Sequence, residues 1–339
     1  FFTHPDPTVQ RKTGLLAPVY GSTNALGATL ETPYYVNLAA DRDATLTPFF
    51  TSREGLAMKG EYRQVTARGQ LETRGSVTRP WARDDTNARL DERDTRGHLE
   101  ATGVWNLSPD WRWGFSGARS SDDTYLRRYE ISDANVLTTN AFVEGIRDRN
   151  YAAVNAWSFQ GLRQDDDPGQ SPTVLPMAEY SRYSPTGRYG QYAVVDANAL
   201  AIRRSEGRDV LRLSSQIEWR LPYTSRLGEV YSFSASARAD GYAIDGQRDL
   251  TAAPDDQVVD GFEARFLPRV ALEWRLPLVR AGSTADYMIE PIIEGIAAPY
   301  GGNPQLVPNE DSRAFEYDDT NLFGASRFPG LDQIGRAHV

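Results

Sequence analysis

Apolar and polar residues alternate one by one along much of this chain. From Val210 to Leu221, Leu211, Leu213, Ile217, Trp219 and Leu221 fall on one side, while Arg212, Ser214, Gln216, Glu218 and Arg220 fall on the other. That is the period of a β-strand with one oily and one charged face. The same dyad runs from Phe262 to Leu278 and from Val230 to Tyr242, where Tyr231, Phe233 and three alanines oppose serines, Arg238 and Asp240. Shorter versions occur at Leu56 to Arg63, around Leu71 and Val77, and at Trp111, Trp113 and Phe115.

About fourteen such segments reach nine or more residues, long enough to cross a hydrocarbon layer when tilted. Strands of soluble sandwiches are nearer five or six. Between them, tight connections (Ala67-Arg68-Gly69-Gln70, Ser108-Pro109-Asp110) contrast with long polar ones (79–96, 121–136, 245–260). Short turns at one rim and long loops at the other are the habit of an outer-membrane barrel. The fold expected is all-β, an antiparallel transmembrane β-barrel of outer-membrane type. Trp105, Trp111, Tyr223 and Trp274 stand at strand ends, where aromatics form interfacial girdles.

Composition fits this picture. Hydrophobic residues make up 40% of the 339, and no apolar run approaches the eighteen or so residues of a membrane helix. A barrel strand hides its apolar residues by alternation, so modest hydropathy does not argue against a membrane home. The net charge of −9 argues against a nucleic-acid partner. With no cysteine there is neither a disulfide nor a thiolate metal site. His4, His98 and His338 lie far apart in sequence and read as solvated loop residues, so no metal or cofactor is proposed. Phosphate loops, nucleophile elbows and dinucleotide fingerprints are absent.

The opening region carries the most specific signal. Thr32-Pro33-Tyr34-Tyr35-Val36-Asn37-Leu38-Ala39, a short acidic turn, and Asp43-Ala44-Thr45-Leu46-Thr47-Pro48-Phe49-Phe50 read as a β-hairpin with a proline in each strand. A proline deletes a ladder donor, so the pair reads either as a weakened seam or as ordinary edge tolerance, as at Pro268, Pro277 and Pro291. Asp41 and Asp43 read as a solvated turn, with a cation or head-group contact as the sharper alternative.

These residues carry a family resemblance. Pro5-Asp6-Pro7-Thr8-Val9, Gly14-Leu15-Leu16-Ala17-Pro18, the Pro33 and Pro48 strands, and Gly55 with Glu61-Tyr62-Arg63 resemble, in order and spacing, the LptD family of lipopolysaccharide-assembly proteins. Asn309-Glu310-Asp311-Ser312, the run Phe315 to Phe323, Arg327-Phe328 and Gly330-Leu331-Asp332 resemble that family's late barrel loop.

The resemblance implies a periplasmic jellyroll followed by a barrel of about twenty-six strands, plugged by an LptE-like lipoprotein, delivering lipopolysaccharide to the outer leaflet. On this reading residues 1–26 are a linker from the jellyroll, and 27–339 are the amino-terminal part of the barrel, truncated and not competent alone. The barrel is therefore expected to be incomplete, with a periplasmic lipopolysaccharide-transport bridge reached through the jellyroll and outer-membrane lipid as further partners. The resemblance places a lateral gate at Pro33, Pro48, Tyr34 and Tyr35, and a late-loop site at Asp311, Glu316, Asp319, Asn321, Arg327 and Asp332. Catalytic residues are not expected. A general outer-membrane channel or receptor would share the dyad pattern without a reason for the proline pair. A secreted soluble all-β enzyme or carbohydrate-binding protein would have shorter strands and a buried carboxylate pair.

Overall fold

The computed structural model describes residues 11–83, 89–248, 258–299, 302–313, 315, 326 and 328–335. The described chain is nearly all β, its strands pairing antiparallel, with one short helix among the described residues. It divides into two compact units, residues 1–144 with 155–173, and residues 145–154 with 174–339.

The first unit opens with β1 (Gly14–Leu15), β2 (Val19–Thr23), β3 (Gly27–Glu31), β4 (Tyr34–Ala39), β5 (Arg42–Thr51), β6 (Gly55–Thr66) and β7 (Gly69–Thr78). A small ribbon, β8 (Trp81–Arg83) with β9 (Arg89–Arg93), leads to β10 (Arg96–Asn106), β11 (Trp111–Ser120) and helix α1 (Tyr125–Arg128). β12 (Val136–Arg147) and β13 (Asn150–Gly161) are shared between the two units. The second unit continues with β14 (Thr173–Tyr183), β15 (Tyr192–Arg203), β16 (Asp209–Thr224), β17 (Val230–Arg248) and β18 (Val258–Arg275). It ends with the ribbon β19 (Leu278–Arg280) and β20 (Tyr287–Ile289), then β21 (Ile292–Ala297).

Twelve strands reach ten or more residues. Two further long strands are interrupted. β1 and β2 flank Leu16-Ala17-Pro18, and β3 and β4 flank Thr32-Pro33. The stretch 1–26, expected as a linker, thus contributes strand to the sheet from Gly14 onward.

The sequence dyad is the dyad of the structure, with the usual sense of burial reversed. On β16, Leu211 is 57% and Leu213 63% exposed, while Arg212 and Ser214, which alternate with them, are 2% and 4% exposed. Ile217 and Trp219 share the open face, and the row continues across β18 with Phe262, Phe266, Val270 and Leu272. Register aligns these rows, Leu211 with Ala243 and Ala243 with Phe262. In the first unit, Leu46, Met58, Val77 and Leu99 are likewise exposed. Rows of exposed large apolar side chains above buried charges cost solvation free energy in water and gain it in lipid.

Aromatic side chains cluster near the short turns. Trp105 stacks on Trp113 at 4.6 Å beside the turn 107–110, and Tyr223 meets Tyr231 at 6.2 Å beside the turn 225–229. Longer connections carry small folded pieces, so the loop 121–135 is not bare loop. It contains α1, whose Tyr125 and Leu126 are buried with Tyr129 against Leu26, Phe49, Ala57, Leu137 and Leu162. His98, expected as a solvated loop residue, instead lies in β10, its Nδ1 2.7 Å from Ser76 Oγ, which is 2.6 Å from the Tyr125 hydroxyl. Its strand position follows from the alternation of β10, which its isolation in sequence concealed. His4 and His338 lie outside the described residues.

Candidate functional site: a broken first seam and a loop bound to the charged face

β4 pairs with β5 (Tyr34 opposite Leu46, Tyr35 opposite Thr45), and β5 pairs with β6. β3 pairs with β5 beyond the break, Glu31 opposite Phe49. Pro33 thus occupies the gap between β3 and β4, and Pro48 lies within β5. An antiparallel residue directs its N–H and C=O at the same neighbour. The Pro33 carbonyl accepts from the Leu16 N–H at 2.9 Å, and the Pro48 carbonyl accepts from the Thr32 N–H at 3.1 Å. The donor missing at Pro33 therefore faces the 14–16 segment, and that missing at Pro48 faces Thr32. Each proline thins one of two adjacent seams. Pro18, which the sequence analysis used only as part of a family motif and not as a seam proline, ends the break between β1 and β2 beside the same gap. Its cue was a proline at the end of Gly14-Leu15-Leu16-Ala17, a run too irregular to read as strand.

Tyr34 stands on the exposed face, and Tyr35 points to the opposite side, as alternation requires. Asp43, on the charged face, is buried and accepts from Arg63 Nε at 2.9 Å and Arg11 Nη1 at 3.1 Å. Asp41 remains in the turn and meets Arg42 at 3.3 Å.

In the second unit the late loop lies on the charged face of β15 to β18. Cross-strand register places Arg212 opposite Tyr242, and Asp240 opposite both Ser214 and Arg265. The loop residue Asp332, 1% exposed, accepts from Arg212 Nη1 at 2.6 Å and from the Tyr242 hydroxyl at 3.2 Å. Its second oxygen accepts the backbone N–H groups of Glu310 at 2.8 Å and Asp311 at 3.2 Å. Arg212 also binds Asp311, whose carboxylate accepts the N–H of Asp332 at 3.0 Å.

Arg265 joins sheet to loop. It donates to Asp240 Oδ2 at 2.6 Å, to the Tyr242 hydroxyl at 2.9 Å, and to the carbonyl oxygens of Asp332 at 2.7 Å and Gly302 at 3.0 Å. Glu310 closes the edge through Arg204 at 2.7 Å and Arg208 at 2.8 Å. Buried charges persist when paired and hydrogen-bonded, and here nearly every oxygen has a donor.

Burial works against ionisation of Asp311, but Arg212 and the backbone N–H groups of Leu331 and Asp332 outweigh it and bring its pKa to about 2. For Glu310 the opposition of burial is overcome by Arg204 and Arg208, again downward. Burial drives Asp332 the other way, upward, against the pull of Arg212 and with the help of Asp311. Asp311 is therefore the carboxylate of this pair that stays ionised furthest into acid. The structure brings together Asp311 and Asp332 of the expected late-loop site, whereas Glu316, Asp319, Asn321 and Arg327 lie outside the described residues. Their anchors Arg212, Asp240, Tyr242 and Arg265 were absent from the sequence-based set. The only signal for them was charge on the wet face of long strands.

A sheet with lipid-type side chains on one face and a folded loop bound to its charged face defines an outer-membrane β protein. The sequence model of one such family, LptD, described as LPS transport system D, matches residues 94–338. The chain belongs to the LptD family.

It is similar to the LPS-assembly protein LptD of Thiobacillus denitrificans, 26% identical over 339 residues, covering 97% of this chain and 43% of that protein. The protein of the same name from Idiomarina loihiensis is 26% identical over 349 residues, covering 97% and 42%. That from Pseudoalteromonas translucida is 27% identical over 365 residues, covering 100% and 44%. The chain spans less than half the length of these relatives. Among solved structures, a bacterial polysaccharide outer membrane secretin aligns over 84% of this chain and 94% of its own with a TM-score of 0.29 and 13% identity, too low to define a shared fold.

Proposed function

We propose that this chain is part of an outer-membrane protein that takes lipopolysaccharide from the periplasmic side and inserts it into the outer leaflet. The observation that carries the reading is the inverted burial of β16 to β18 in a chain of the LptD family. The work is transport, with energy supplied elsewhere, and no covalent step is required of the residues described.

The lipid leaves sideways at the first strands, where Pro33 and Pro48 each remove one donor from adjacent seams. A ladder bond is worth about 1 kcal/mol net in water, and an unsatisfied group in hydrocarbon costs several. Two absent donors therefore lower the barrier to parting the strands that carry Tyr34 and Tyr35. The late loop, bound through Asp311 and Asp332, covers the charged face that a sugar-bearing lipid would otherwise meet. An LptE-like lipoprotein plug, a periplasmic bridge docking on a jellyroll, and the surrounding membrane lipid are the partners this role requires.

The test is photo-crosslinking from a reactive group at Tyr34 in the full-length protein in cells. Lipopolysaccharide adducts at Tyr34, weak or absent from a control position at Leu213, are expected. No adduct at any position along β3 to β5 would favour a general channel and end this reading.

A further inference from the structure

A polar cleft opens on the long-loop side of the first unit, between the turn that joins β2 to β3 and the helical segment of the 121–135 loop. Its volume is about 430 Å³, within the ~300–1,000 Å³ typical of small-molecule sites. Ala25 and Leu162 form its apolar side, and Asp123, Arg127, Arg128 and Gln164 its polar side. Its floor is firm. Leu26, next to Ala25, is buried with Tyr125, Leu126 and Leu162, and Arg53 donates to the Asn24 carbonyl.

The charges of this region are unequally satisfied. Arg96 is used up by Asp122, which it grips through two nitrogens while also donating to Thr124. Burial raises the Asp122 carboxyl, but hydrogen bonds from Arg96, Ser121 and Thr124 overcome this and hold it well below the ordinary range. Arg128 pairs with Glu54 through Nη2, yet its Nε is buried with no hydrogen-bond partner. Arg127 donates only to the neutral Asn135 side chain and has no carboxylate in ion-pair range among the described residues. The cleft is thus bordered by the Arg127 guanidinium, which no carboxylate neutralises, and by Arg128, whose Nε is sealed inside the protein away from the cleft. Guanidinium suits phosphoryl oxygens in geometry and charge, while Asp123 and Gln164 offer hydroxyl partners.

We propose that this cleft binds one phosphorylated sugar unit of the exported glycolipid, with Arg127 and Arg128 on the phosphoryl group and Asp123 and Gln164 on the sugar hydroxyls. The inference rests on the transport reading above. It adds a head-group site beside the turn where the first two strands end, so that a lipid parting those strands is held by its sugar before it is released.

The test uses the full-length protein in detergent with three probes: a bis-phosphorylated glycolipid, the same glycolipid after phosphatase treatment, and soluble glucosamine 1-phosphate. The wild type is expected to bind the phosphorylated lipid about tenfold more tightly than the dephosphorylated one, in line with loss of a charge-assisted contact. Arg127→Ala should abolish that preference, and Arg127→Lys should keep part of it. Arg127 is exposed, so the substitution does not threaten folding, and unchanged hydrogen-exchange protection of 125–131 verifies this. Gln164→Ala should weaken both lipids alike.

Binding of glucosamine 1-phosphate that Arg127→Ala removes would show recognition of the sugar phosphate alone. Its absence, with the lipid preference intact in the wild type and lost in Arg127→Ala, would show that the acyl anchor is needed. A preference that survives Arg127→Ala overturns the site. If Tyr34 still crosslinks to lipopolysaccharide in that case, the transport reading stands without it.

Discussion

Arg212 and Asp332 are 120 positions apart in sequence and 2.6 Å apart in the structure, both nearly inaccessible to solvent. A strand residue and a loop residue thereby share a buried ion pair that fastens the late loop to the charged face. Removing one member of such a pair strands the other, at a cost of about 3–5 kcal/mol. Asp332→Ala is therefore expected to release segments 309–313 and 328–335, read as lost hydrogen-exchange protection there with β16 unchanged. Arg212→Met with Asp332→Leu should recover only part of the loss, because Asp311 keeps its backbone donors but loses the Arg212 guanidinium.

Gly330 tests the same attachment through sterics. A Cβ at this position would collide with the Asp311 carboxylate oxygen and with its backbone carbonyl. Gly330→Ala should displace the chain that presents Asp332 and weaken loop protection in the manner of Asp332→Ala, although it alters no charge.

Acid should loosen the loop over a defined window. Asp311 and Glu310 are held below their ordinary values of 3.8 and 4.5, so the stability they contribute is complete above those values and is lost as pH falls through the folded ones. Asp332, shifted upward, has the opposite sign and offsets part of the loss. Protection of 309–313 should hold at pH 6 and fall between about pH 4.5 and 2, whereas in Asp311→Asn it should already be lower at pH 6 and its remaining fall in acid should be smaller.

At the seam, restoring a donor should strengthen pairing. Pro48→Ala supplies an N–H facing Thr32 and Pro33→Ala one facing the 14–16 segment. Each is worth about 1 kcal/mol. Crosslinking of lipopolysaccharide to Tyr34 in the full-length protein should slow with either change and slow most with both, while the amount of folded protein in the membrane stays constant.

The long strands were legible because Leu211, Arg212 and Leu213 alternate without interruption, and a two-residue period survives any tertiary context. The binding of Asp332 to Arg212 was not, since periodicity assigns Arg212 to the wet face without saying what covers it. The first strand pair was hidden for a local reason: Gly14 to Thr23 has a proline, two glycines and few β-branched residues. Its strand character comes from pairing with β3 and β4, which overrides weak propensity. Pro33 was assigned to the seam and Pro18 only to a motif, because Pro33 is followed by the strand-forming Tyr34-Tyr35-Val36. His98 went astray because three scattered histidines say nothing of register, whereas pairing of β10 with β7 sets it opposite Ser76.

The account depends most on which face of β16 meets lipid. Spin labels placed singly at positions 211, 213, 217, 212, 214 and 216 of the full-length protein in bilayers read this directly, by collision with oxygen in the hydrocarbon or with a water-soluble nickel chelate. The odd-numbered positions are expected to collide preferentially with oxygen, and the even-numbered ones to be shielded from it. Odd positions shielded from oxygen, with a contact pattern like that of a sheet packed against a second sheet in water, would contradict it.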